Sequence, residues 1–273
     1  MSGVRRVIPL TLGWEELPKT VSVFGADPSE RLLEPVPAVL LELDGGWMLL
    51  DTGLNPALVR DPVLFQRFHG GPVKAVLPDH PDDPLLRAVE EVGLALESVT
   101  AVALSHLHND HAGGVRHFAA RDVPVHVQRR ELDYGLYAPH PQPEEHAIFR
   151  IDFDDPRISW DIADGDVELA PGVTAVLTAG HTPGHQSFVI DLEGGGGLVL
   201  AFDAADLQEN IDEERPVGFA VGMSPQVTLE PLLRLKAIAA QKGYRLVPGH
   251  DPVVWPAFTA DMRDRVFGAR IYG

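Results

Sequence analysis

The tightest constraint on this chain is a run of six residues, His106-Leu107-His108-Asn109-Asp110-His111, which places four titratable side chains just behind a short apolar stretch at 100–104. In extended chain, residues two apart project to the same side, so His106 and His108 can grip one ion together. A turn then brings Asp110 and His111 round to a second position, and Ala112-Gly113-Gly114 leave room for close backbone approach. A lone histidine is usually a surface residue or a satisfied core group. Three histidines and an aspartate packed this closely would lose hydration without compensation unless a metal took their lone pairs.

Other candidates fall at matching places in the pattern. Residues 173–178, 198–202 and 245–247 read as apolar strands, and His181, Asp203 and His250 follow them closely. Strand ends and their loops are where a rigid scaffold presents reactive side chains. Two apolar runs, 39–43 and 47–50, flank Asp44-Gly45-Gly46 as a β-hairpin, and the second ends at Asp51-Thr52-Gly53. Asp83 can cap a helix with Pro84 in its first position, Leu85, Val89 and Val92 on one face, and Gly93 at its end. Residues 123–127 and 187–192 read as further strands, with 194–197 as a glycine turn. The stretch 134–160, rich in Pro, His and aromatics, reads as loops with a helical piece. Thr228 caps a helix carrying Leu229, Leu232, Leu233 and Ile238, ended by Gly243. Strands and helices occur in both halves, so the fold class is α/β or α+β, with helices covering sheets.

Composition narrows the chemistry. The 273 residues, 45% of them hydrophobic, suffice for a sizeable core in one large domain or two small ones. No cysteine is present, which excludes disulfides, zinc fingers and thiolate metal sites, so any metal must be held by histidine and carboxylate. A net charge of -18 is the opposite of a nucleic-acid binder's basic footprint, and it disfavours a polyanionic substrate. Arg5 and Arg6 precede only a broken apolar run, Val7-Ile8-Pro9-Leu10, too short for a signal sequence. No stretch approaches the roughly 18–20 apolar residues of a membrane span. The expectation is a soluble cytoplasmic protein with neither nucleic acid nor membrane as partner.

The His-x-His-x-Asp-His motif at 106–111 resembles that of the metallo-β-lactamase superfamily. Gly180-His181-Thr182-Pro183-Gly184-His185, Phe202-Asp203-Ala204, Gly249-His250-Asp251 and Asp51-Thr52-Gly53 are similar to its later ligand loops and an early supporting turn, in the same order. The resemblance spans nearly the whole chain and implies one domain over 1–273, folded as an αβ/βα four-layer sandwich. It also implies a site for two divalent ions: His106, His108 and His181 at the first, Asp110, His111 and His250 at the second, and Asp203 bridging. Seven N and O ligands are too many for one tetrahedral ion and suit Zn, with Mn, Fe or Co also compatible.

Within the superfamily several branches do not fit. Cysteine-ligand β-lactamases need a cysteine, oxidoreductase branches carry Glu where this chain has His108, and RNA-processing branches sit poorly with the charge. The chain is most similar to the N-acyl homoserine lactone lactonases, through Ser105-His106-Leu107-His108, Val127-Gln128-Arg129, 181–187, Asp203-Ala204 and Glu209-Asn210. That resemblance implies a quorum-quenching hydrolase opening N-acyl homoserine lactones or related γ-lactones by attack of a metal-bridging hydroxide, its partners a small-molecule ester or lactone substrate and, as a candidate assembly, a second copy in a homodimer. Asp110, Asp203 and Asp206 are the catalytic candidates, with Asp110 or Asp206 returning a proton to the leaving alkoxide. One departure stands out: Asp206 occupies the place of a tyrosine whose hydroxyl contacts substrate. An ionised aspartate can only accept hydrogen bonds, so it should favour donor-bearing substrates if it lies at the pocket edge; alternatively it points to solvent or caps 207–210. The competing readings are a hydrolase of phosphotriesters, aryl esters or thioesters, an iron oxidoreductase, and a silent metal binder. His69, His80, His117, His126, His140 and His146 lack ligand spacing, and His185 reads as a support beside its loop. Tyr134, Tyr137, Phe149, Phe153, Trp160, Phe219 and Met223 are candidates for an acyl pocket, a subunit interface or ordinary core.

Overall fold

The structure is a computed structural model and describes residues 3–138 and 146–268. Among these residues the strands form two sheets. The first runs β4-β1-β2-β3-β5-β6-β7, the second β12-β11-β10-β9-β8. In chain order the first sheet's strands are β1 (Arg6–Pro18), β2 (Arg31–Leu43), β3 (Gly46–Leu50), β4 (Lys74–Val76), β5 (Val99–Ala103), β6 (Pro124–Gln128) and β7 (Ser159–Ala163). Those of the second are β8 (Val167–Ala170), β9 (Val173–Leu177), β10 (Gln186–Asp191), β11 (Gly197–Phe202) and β12 (Arg245–Pro248).

Side chains alternate across each strand, so both faces of the central strands are buried. Leu41, Met48 and Leu50 turn inward and meet Phe188, Ile190 and Leu200 of the other sheet in one core. Leu40, Leu49 and Val102 turn outward and pack under Leu85 and Val89 of the helix Pro84–Glu91. On the far side, Val199 and Ala201 pack against Leu232, Leu235 and Ala239 of the helix Leu229–Lys242. The layers are thus helix, sheet, sheet, helix. Each fully buried Leu or Ile contributes about 1.5–3 kcal/mol, and truncating one such as Leu49 to alanine costs about 2–5 kcal/mol. No helix of the described residues is long and apolar enough to cross a membrane.

Local signals behave as expected in most places. The hairpin pairs Val39 with Leu50 through Leu43 with Gly46. Asp83 accepts from the Leu85 and Leu86 amides ahead of Pro84. Thr228 is a correction: its hydroxyl donates to the Pro225 carbonyl instead of capping the following helix, which ends at Gly243 with φ +68°. The described residues of the stretch 134–160 include the end of the helix Arg129–Tyr137, the helix Arg150–Phe153 and the start of β7.

The long β1 and the first half of β2 are not evident from periodicity, because prolines interrupt both. The structure tolerates them at edges. β4 pairs only with Trp14 to Glu16, leaving Pro9 beside no second neighbour. β3 pairs only from Val39 onward, so Pro35 and Pro37 need no amide on that side.

Candidate metal centre

Two pairs of parallel strands build the site. Asp51 and His106 follow β3 and β5; Asp203 and His250 follow β11 and β12. The carboxyl ends of both pairs open to the same place, where turns rather than sheet bonds set side-chain direction. The strain is visible at two residues: Asp51 has φ +58° and Phe202 has φ +47°. A left-handed phenylalanine is unfavourable, and here it swings Asp203 out of the sheet and into the cluster. Behind the motif, glycine is required by contact. A Cβ on Gly113 would stand 2.3 Å from the Asn55 amide nitrogen, and one on Gly114 2.3 Å from the Thr52 carbonyl.

The predicted site residues converge. Donor atoms of His106, His108, His181 and Asp203 all lie within 4.8 Å of one another, and so do those of Asp110, His111 and His250. Asp203 faces both groups. Its Oδ2 is 3.2 Å from His181 Nε2 and 3.8 Å from His106 Nε2, while its Oδ1 is 3.2 Å from His111 Nε2 and 3.1 Å from His250 Nε2.

Four of the five rings are held from behind, which fixes which nitrogen points in. His111 Nδ1 meets Asp51 Oδ2 at 2.7 Å, His250 Nδ1 meets the Pro35 carbonyl at 3.0 Å, and His181 Nδ1 meets the Phe219 carbonyl at 3.1 Å. His106 Nδ1 lies 2.9 Å from Ser105 Oγ, itself held by Asp51. With Nδ1 as the donor in each case, Nε2 of His106 and His181 is left as a lone pair toward the centre, while His111 and His250 turn theirs to Asp203. His108 is turned the other way, with Nδ1 2.9 Å from His181 Nε2. Burial pushes His106, His108 and His181 below the usual histidine range, keeping them neutral donors. His111 and His250 are pushed well above it: burial opposes their charge, but Asp110 and Asp203 beside them outweigh it.

Supports reach further out. Glu131, buried on the helix Arg129–Tyr137, accepts from the Leu107 amide, the Thr182 hydroxyl and the Gly184 amide, tying two ligand loops together. His185 bonds Thr178 and accepts from the Asp203 amide, the supporting role expected of it. His117 bonds Asp83, His126 pairs with Asp161, and His80 accepts from the Asp82 amide, all away from the cluster. His140 lies outside the described residues.

The cluster forms one side of a cavity of about 460 Å³, whose other surfaces include Leu17, Val21, Phe68, Phe149 and Phe219. Of the aromatic candidates only Phe149 and Phe219 line it. Phe153 is buried in the core with Tyr134 and Trp160 against it, and Tyr137 and Met223 are exposed. Asp206 is buried on the cavity wall, which removes the solvent-facing alternative. The capping alternative fails too, because the helix Gln208–Glu213 is capped at Leu207 and Asp251 Oδ2 takes the Gln208 amide. Burial pushes the Asp206 carboxyl well above the usual range, with Asp203 adding to it. Sequence reading missed two cavity residues and did not single out a third, His69, among the histidines without ligand spacing. Glu15 and Glu34 sit on strands that the prolines hide, and His69 is brought in by packing on Phe149, with ring centroids 5.3 Å apart. No local spacing marks any of them.

The sequence profile of the metallo-beta-lactamase superfamily matches residues 31–250. The N-acyl homoserine lactonase AiiA of Bacillus thuringiensis subsp. kurstaki is 34% identical over 225 residues, covering 82% of this chain and 84% of that protein. AttM, an N-acyl homoserine lactonase of Azorhizobium caulinodans, is 33% identical over 235 residues with the same coverage, 82% and 84%. A solved N-acyl homoserine lactone hydrolase, with the product N-hexanoyl-L-homoserine at its catalytic metal center, superposes with a TM-score of 0.79. It is 30% identical, covering 92% of this chain and 94% of that one.

Proposed function

The chain belongs to the metallo-beta-lactamase superfamily, and from that premise we propose that it is a metal-dependent lactonase opening N-acyl homoserine lactones or related γ-lactones. The observation that carries this is the donor cluster itself. Nε2 of His106, His108 and His111 is buried without a hydrogen-bond partner. His111 Nε2 does lie 2.9 Å from Asp110 Oδ2, but without hydrogen-bond alignment. An unsatisfied buried polar atom costs about 1–3 kcal/mol, and unpartnered ring nitrogens within two adjoining donor groups fit cations. In this reading His106, His108 and His181 hold one ion, Asp110, His111 and His250 hold another, and Asp203 reaches both. The all-N and O donor set suits zinc. Bound there, two such ions supply an activated water and a Lewis acid for the ester carbonyl.

The chain's own residues do the rest. Asp51, Ser105 and the Pro35 and Phe219 carbonyls hold the rings in register. Phe149, Phe219, Leu17 and Val21 exclude water around the scissile bond. The Asp110 carboxylate, on the cavity wall beside His111 and His250, is placed to pass a proton to the leaving alkoxide. A panel of γ-lactones, aryl esters, thioesters and phosphotriesters, followed by acid release with an indicator, tests this. Lactones should lead the panel; inert lactones beside a well-hydrolysed ester of another class would reject the substrate assignment.

A further inference from the structure

We propose that Glu15, Glu34 and Asp206 form a subsite for a positively charged group of the substrate, a protonated amine carried close to the scissile ester; this deepens the ester-hydrolase reading above and rests on it. β1 and β2 pair with Glu15 directly opposite Glu34. Directly opposed side chains share a face of the sheet, and like charges there are unfavourable. Both line the cavity, as does Asp206 from the loop after β11. Asp206 stands with Asp203 and His250, donor atoms of the three lying within 4.8 Å of one another, so the acidic wall adjoins the metal centre.

Burial without partners points to a ligand. Glu15 is 8% exposed and Asp206 4%, yet Glu15 Oε1 and Asp206 Oδ1 have no hydrogen-bond partner among the described residues. Glu34, 2% exposed, accepts only a 2.6 Å bond from Ser22 Oγ among the described side chains. No lysine or arginine among the described residues lines the cavity; the positive charge nearest the acidic wall is that of His250 and His111, which Asp203 and Asp110 already hold. A hydrocarbon acyl arm would leave these acceptors desolvated and unpaired. A primary ammonium brings three donors and one charge in a compact group, suited to the opposed Glu15 and Glu34 with Asp206 adding to the negative wall. The substrate class inferred is therefore a lactone or ester whose short acyl arm carries an amine, in place of a plain fatty acyl chain.

Glycyl- and propanoyl-homoserine lactone are near-isosteric and differ by the ammonium, so the ratio of their kcat/KM on the metal-loaded full chain isolates the subsite. The ratio should favour the glycyl compound at least about tenfold, as expected of a partly desolvated charge pair. It should fall toward one in Glu15→Gln/Glu34→Gln with metal content retained. Asp206→Asn, which keeps size and loses charge, gives the same reading if the double variant does not fold. A wild-type ratio of one or less, or a ratio that survives in the variants, overturns the proposal. Loss of metal with the ratio unchanged also overturns it, and assigns the carboxylates to balancing the ions. If neither lactone turns over, the lactonase reading fails separately. The subsite is then judged by n-propylammonium against n-propanol as inhibitors of whichever ester is hydrolysed. Stronger inhibition by the ammonium, lost in the variants, sustains it; equal inhibition refutes it.

Discussion

On one side of the cavity, His106, His111, His181 and His250 each give Nδ1 to an acceptor that does not move and keep Nε2 for the cluster. On the adjoining side, Glu15 and Asp206 are equally buried, but each keeps one oxygen with no partner. The first arrangement is preorganised: second-layer partners set tautomer and direction in advance, as suits an ion that stays. The second is a set of acceptors awaiting donors, as suits a group that arrives and leaves with each turnover. Burial alone therefore does not define a role; what stands behind each polar atom does.

Asp203→Ala should break the first side outright. It removes the one carboxylate that faces both groups of histidines, so activity should drop about a thousandfold or more and metal content should fall with it. Turnover near wild type in a folded, metal-loaded variant would remove Asp203 from the centre. Asp51→Asn probes the layer behind. It keeps an acceptor for Ser105 but weakens the anchor of His111, and a loss of about 10–100-fold in metal affinity or activity is expected. Chelator competition reads the affinity; an unchanged value would mean that Asp51 only packs.

The smallest effect sharpens the comparison from outside the cavity. Asp152 is buried like the acidic wall and its Oδ2 likewise has no hydrogen-bond partner among the described residues, but Asn55 donates to its Oδ1 at 2.7 Å and it does not line the cavity. Burial holds its carboxyl up at about 7. The folded chain thus keeps a proton that the unfolded chain releases near pH 4, so this residue makes stability fall as pH rises from about 4 to about 7, with no further change above. Asp152→Asn should remove up to about 1.4 kcal/mol per pH unit of that slope. Urea midpoints at pH 5 and 8 should lie closer together in the variant than in wild type; equal spacing would contradict the assignment.

The legibility of these regions follows the same division. The cluster could be read because its ligands follow strands whose apolar runs are short and clean, and because His106 to His111 are adjacent in the chain. The Asp83-Pro84 start and the hairpin at Asp44-Gly45-Gly46 are likewise local. Glu15 and Glu34 face each other only through the register of two strands interrupted by Pro9, Pro35 and Pro37. His69 reaches the cavity only through packing on Phe149. Asp206 was noticed through its departure from the lactonase pattern, but its burial came from the loop between β11 and the helix Gln208–Glu213, not from any spacing.

Metal titration of chelator-stripped protein, with γ-lactone hydrolysis as readout, tests the central claim most directly. Activity should be absent in stripped protein, rise with added zinc and saturate near two ions per chain, in keeping with two donor groups joined by Asp203. Undiminished lactone hydrolysis by metal-free protein, or full activity with at most one ion bound, would contradict it.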